Sequence, residues 1–370
     1  MTLMPPGPLP VETAAKKLRG GGASATFFCK CSSEHSNCRD ATSFRLCSTM
    51  VWRVMGVLMV VPAGGAWGAT IAAPTELTAP ETIDPATGMP LWAFVAGGIA
   101  AAIFAGSGWG RLRRVPVRPW RFGPGAGVLT FVLAVLAGAV AGGVVAVVMG
   151  IDPADSPTLG ELLPVMLASW GGQLAAACCL PWMRAVVDPP MPGDTRRMPR
   201  RGVVCPDRRH SRLYAGLVGL VGLLLFWPMT LAAAGIAGML WQSLTGDPPS
   251  TMAHELLRQF EAEPSTAIRL GMAASVIVFP AVIEEILYRG LLQESFRRAK
   301  LFSCGAPWQS VVLASLVFTA MHVGAVDPHG LAGLFVLSLG FGWAYAKTGR
   351  LTASITMHMV FNAGNLVFVM

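Results

Sequence analysis

Three motifs that carry polar residues interrupt the apolar C-terminal third of this 370-residue sequence: Glu284-Glu285 with Arg289 four residues after the second, Phe318 with His322, and His358 with Asn362. A charged group at the centre of a spanning helix costs about 2.5–3.5 kcal/mol on insertion scales, so a chain that places Glu, Arg, His and Asn in three separate hydrophobic segments is expected to use them. On a helix, residues four apart share a face, whereas adjacent residues point about 100° apart. Glu285 therefore sits over Arg289 in the favourable acid-before-base order, and Glu284 is aimed elsewhere. His358 and Asn362 share one face, as do Phe318 and His322.

Peptide hydrolysis suits this set. A desolvated Glu284 can take a proton from water, a histidine can orient that water, and His358 with Asn362 can donate hydrogen bonds to the developing oxyanion. Two histidines and a glutamate also match a catalytic zinc site with an open fourth position, so Glu284, His322 and His358 are alternatively ligands of a divalent metal such as zinc. Their spread over three helices, unlike a compact H-E-x-x-H, leaves metal occupancy open. Each residue has a plainer reading: Glu285–Arg289 as a structural salt bridge, His322 as a buried histidine bonded to a backbone carbonyl, Asn362 as a hydrogen bond between membrane helices.

The E-E-x-x-x-R, F-x-x-x-H and H-x-x-x-N series, in that order on successive C-terminal spans, resembles the CAAX protease and bacteriocin-processing (CPBP, or Abi) family of intramembrane endopeptidases. The resemblance covers about residues 267–370. It implies that Glu284 is the catalytic glutamate, Glu285 and Arg289 its supporting pair, His322 the water-orienting or metal-binding histidine, and His358 with Asn362 the oxyanion-stabilising pair. Eukaryotic relatives in that family cleave prenylated C-terminal tripeptides; many prokaryotic ones are associated with bacteriocin self-immunity or membrane-protein processing.

These residues need a scaffold of spans. With 53% hydrophobic and 13% charged residues, the composition is that of an all-α polytopic membrane bundle. Apolar segments at about 91–109, 126–149, 162–187, 213–243, 267–293, 308–325, 331–346 and 351–370 predict about eight spans, with 331–346 short for the bilayer. They divide into a four-span N-terminal region, 91–243, and a four-span catalytic region, 267–370. The net charge of +8 falls in clusters between spans, as in Arg196, Arg197, Arg200 and Arg201, or Arg297, Arg298 and Lys300, which fits the positive-inside rule and not nucleic-acid binding. Basic and acidic loops alternate, which places both mature ends outside. Helix rise then puts His358 roughly 11 Å and His322 roughly 21 Å from the cytoplasmic ends of their spans, around a cavity reached from that side. The expected partners are membrane lipid and a peptide or membrane-protein substrate, in a bacterial inner membrane.

Residues 1–49 read as a disordered tail, and 50–73 as either a signal peptide or an additional span. A short interfacial helix is expected over 252–260. Cys178 and Cys179 read as small core residues, and Cys29, Cys31, Cys38 and Cys47 form no convincing metal framework. His329 is expected in a solvated turn, Trp92, Trp109, Trp241 and Trp308 as interface anchors, and Gly138, Gly142, Gly143, Gly216, Gly219 and Gly222 as points of close helix packing. The readings from other classes are a membrane transporter, which should show an internal repeat that the polar motifs lack, and a non-catalytic membrane scaffold.

Overall fold

The computed structural model describes residues 91–112, 124–151, 157–179, 211–247, 260, 263–299 and 307–367. The tail, the signal-like segment, all but Phe260 of the expected interfacial helix, and the cysteines other than Cys178 and Cys179 lie outside them. Eight helical rods make up the described chain: α1 (Leu91–Gly106), α2 (Pro124–Met149), α3 (Leu159–Cys178), α4 (Arg212–Thr245), α5 (Thr266–Ala299), α6 (Pro307–Ala320), α7 (Pro328–Thr348) and α8 (Leu351–Val367). The fold is an all-α membrane bundle. Four rods, α2, α4, α5 and α7, are long and apolar enough to cross a bilayer; α1 and α6 are shorter apolar helices.

Local chemistry sets the ends. Thr158 caps α3 in a reciprocal box with Glu161, Ser211 and Ser265 cap α4 and α5, and left-handed Gly246 and Gly349 stop α4 and α7. Pro328 opens α7, where its missing N–H costs nothing.

Several expectations are corrected by these boundaries. The segment expected at 331–346 is a 21-residue helix, long enough to span, because Pro328 nucleates it earlier and Gly349 stops it later. That start also puts His329 in the first helical turn and not in a loop. Helix α6 ends at Ala320, so His322 occupies the turn that follows. Cys178 and Cys179 are free and exposed at the end of α3, not in the core. Trp308 faces inward: its indole N–H donates to the Gly110 carbonyl at 2.9 Å, and its ring meets Phe104 edge-on.

Three cores hold the bundle. One joins α2 and α3 to the C-terminal half of α5 and to α6, through Phe131, Trp170, Leu287, Tyr288, Leu291 and Phe318. A second joins α4, α7 and α8 through Phe226, Phe341, Trp343 and Met357. The third ties Leu159, Phe260 and Met272 to Leu366 near the N-terminus of α5. Backbones approach closely where glycine allows it: a Cβ on Gly219 would lie 2.2 Å from the Ala353 carbonyl oxygen, which fixes α4 against α8. Gly143, by contrast, faces open space. Outward valines and leucines such as Val140, Val147 and Leu224 are exposed, as lipid-facing side chains must be.

Candidate active site

Helix α5 supplies the carboxylates and changes winding where it does so. It is α-helical over Thr266–Glu284, π-helical over Glu285–Gln293 and α-helical again over Glu294–Ala299. Runs of i→i+5 bonding are rare and recur at functional sites. The two glutamates fall on either side of the change. Glu285 is fully buried, whereas Glu284 is partly exposed and makes no hydrogen bond or ion pair with a described residue. Its charge lies within electrostatic reach of Tyr288 and Arg289.

Glu285 is the hub of the buried network. Its Oε2 lies 3.2 Å from Arg289 Nε, and its Oε1 lies 3.1 Å from His358 Nδ1. The Arg289 approach is a charge contact without hydrogen-bond alignment. The hydrogen bonds of Arg289 run instead from Nη2 to Ser338, at 2.8 Å to Oγ and 3.1 Å to the carbonyl. The guanidinium also lies over Phe318, 4.8 Å from its ring centroid, and over Phe341 at 5.2 Å. Such desolvated cation–aromatic contacts contribute about 2 kcal/mol.

Both histidines are oriented by acceptors. His322 Nδ1 is 2.7 Å from the Phe318 carbonyl, which can only accept, so Nδ1 carries the hydrogen and Nε2 keeps its lone pair. His358 Nδ1–H likewise donates to the Glu285 carboxylate, and its ring stacks on Phe341 with centroids 4.6 Å apart. Each histidine thus has Nε2 left for a reactant. Phe318 joins the pieces, packing against Tyr288, His322 and, at 6.4 Å, His358.

Asn362 stands apart from that cluster. Its Nδ2 donates to the Val276 carbonyl at 3.0 Å, two turns of α5 before Glu284. The structure therefore brings Glu285, Arg289 and His358 into direct contact and links His322 to them through Phe318. Glu284 and Asn362 lie beside this group without touching it through a hydrogen bond.

The described donors do not gather into a metal site. No three His, Cys, Asp or Glu side chains among the described residues are close enough to hold an ion, so Glu284, His322 and His358 do not form a ligand set as they stand.

Three further participants have little or no motif signal. Ser338 and Phe341 on α7 receive Arg289 and His358, and only a folded structure could pair them. Gln293 was visible in principle, since 285, 289 and 293 continue a four-residue stripe. It is buried, and its Nε2 donates to the Gly342 carbonyl at 3.1 Å, one turn beyond Ser338. Below it, buried Glu294 pairs with Arg297 and Arg298, so those arginines close the end of α5 as well as marking its charge.

Residues 266–364, the stretch that folds into α5 through α8, match the family model described as type II CAAX prenyl endopeptidase Rce1-like. No curated protein and no solved structure gives a significant match to the chain. All six polar motif positions fall inside the matched residues. Over this C-terminal stretch the chain is thus similar to the CAAX protease family, in agreement with the resemblance carried by the three motifs.

Proposed function

We propose that the protein hydrolyses peptide bonds within the membrane, with Glu284 as the general base that activates water. The observation that carries this reading is the contrast between the two glutamates. Glu285 is committed to Arg289 and His358, whereas Glu284, one residue away, is partly exposed and uncommitted. A base must be free to take a proton, and of the two glutamates Glu284 is the one so placed.

His322 then orients the water through Nε2, because its Nδ1–H is held by the Phe318 carbonyl. Water gives its proton to Glu284 as its oxygen attacks the carbonyl carbon, and the tetrahedral oxyanion is met by donors from α8. His358, with its Nδ1–H held by Glu285 and its ring stacked on Phe341, turns Nε2 toward the oxyanion, so the buried Glu285–Arg289 pair supplies its position. Asn362 supplies its second amide hydrogen. Glu284 returns the proton to the departing amine as the C–N bond breaks.

Ten consecutive residues of α5, Leu287–Phe296, are buried, which favours substrate access at the level of Glu284 over a route along the basic end. A divalent metal held by Glu284, His322 and His358 would supply the competing chemistry by polarising water, and it would require those donors to draw together from where they stand. Cleavage of membrane-peptide substrates by His322→Ala and His358→Ala variants, with and without a strong chelator, tests the assignment. Losses of about 10²–10³-fold in kcat with indifference to chelator are expected. Unchanged cleavage in correctly folded variants would remove both histidines from the mechanism, and chelator sensitivity would favour the metal route.

A further inference from the structure

The partner of Asn362 is explained by a residue outside the three motifs. In a continuous helix the Val276 carbonyl accepts a hydrogen bond from the N–H of residue 280. Residue 280 is Pro280, inside the α-helical part of α5, and proline has no N–H. The Val276 carbonyl is therefore without its helical donor in an apolar setting, where an unsatisfied backbone group is costly. Asn362 Nδ2 donates to that oxygen at 3.0 Å.

We infer that Pro280 is a positioning residue for the oxyanion donor: by removing one helical hydrogen bond it frees the Val276 carbonyl as an anchor that fixes the amide of Asn362. The inference rests on the proposed role of Asn362 in hydrolysis. Since a carbonyl only accepts, the bond also settles which end of the amide faces α5, and it leaves one N–H and Oδ1 for the site. Pro280 is buried and four residues before Glu284, so one short stretch of α5 carries the base and sets the donor on α8.

Pro280→Ala restores an N–H that competes for the Val276 carbonyl. The variant regains a helical hydrogen bond, so it keeps or gains thermal stability, and a drop in activity is not the result of unfolding. Cleavage of a membrane peptide is measured for wild type, Pro280→Ala, Asn362→Ala and the double variant, with kcat and KM separated. The inference predicts that Pro280→Ala lowers kcat about tenfold with KM unchanged, and that it has no further effect once Asn362 is alanine. Losses that multiply in the double variant, or a Pro280→Ala enzyme as fast as wild type, would overturn the inference and leave the role of Asn362 intact. An Asn362→Ala enzyme as fast as wild type would remove that role, and the inference with it. Activity lost in Glu284→Gln, measured alongside, reports on the hydrolytic reading by itself.

Discussion

Glu284 and Glu285 are neighbours in sequence with opposite surroundings, and substitution should separate them. Glu285→Gln leaves Arg289 buried, 1% exposed, without its counter-charge, and removing one member of such a pair costs about 3–5 kcal/mol. Glu284→Gln breaks no contact with a described residue, so its effect on stability should stay within about 0.5 kcal/mol. Thermal unfolding of the two variants in detergent checks this, and equal destabilisation would contradict the assignment of one glutamate to support and the other to chemistry. The pairing of Glu285 with Arg289 was legible from spacing alone, as was the different direction of Glu284. The contact from Glu285 to His358 was not, because it joins residues 73 positions apart on two helices. Of the two readings of Asn362, the bridge between two helices is the one its hydrogen bond to Val276 shows, and its part in hydrolysis is the proposal.

Elements contribute through their ends and their winding. Periodicity located the eight apolar segments, but caps decided their boundaries: Pro328 and Gly349 lengthen α7 beyond its apolar run, and the end of α6 at Ala320 places His322 in a turn. The π-helical stretch of α5 leaves no trace in a hydrophobic pattern, since it depends on how Arg289 and Gln293 are received by α7. The start of α3 offers a pH test. The backbone N–H of Thr158, and then its hydroxyl, hold the Glu161 carboxyl below the usual carboxylate range. A lowered folded-state value means that the capping contribution is present above the unfolded pKa and is lost as pH falls through the folded one. Protection factors of the first-turn amides of α3, corrected for intrinsic exchange, should therefore fall as pH is lowered through the carboxylate range, and Thr158→Ala should remove that dependence. Exchange with the same pH response in the variant would show that the box is not responsible.

At the scale of the whole molecule, the described residues of the catalytic region are unevenly covered along α5 and α6. Leu287–Phe296 is buried throughout, and Glu294 with its two arginines lies beyond it, whereas Met321 and Val323 beside His322 are 39% and 50% exposed. Alternating loop charge is expected to place the basic end in the cytoplasm. A cysteine at Val323 should therefore react with a membrane-impermeant maleimide applied to intact cells, and peptide mass mapping distinguishes it from the eight native cysteines. Labelling confined to inverted vesicles would place this turn on the cytoplasmic side, where span depths put the approach. Composition and charge were enough for the class of fold. Which faces of α5 its neighbours cover was not legible, because it depends on contacts between residues far apart in sequence. The central claim is that Glu284 activates the attacking water, and its most direct test is cleavage of a membrane-peptide library by purified wild type and Glu284→Gln in nanodiscs. Wild type should cleave and the variant should lose at least about 10²-fold with folding retained; cleavage by Glu284→Gln at the wild-type rate would remove Glu284 as the base.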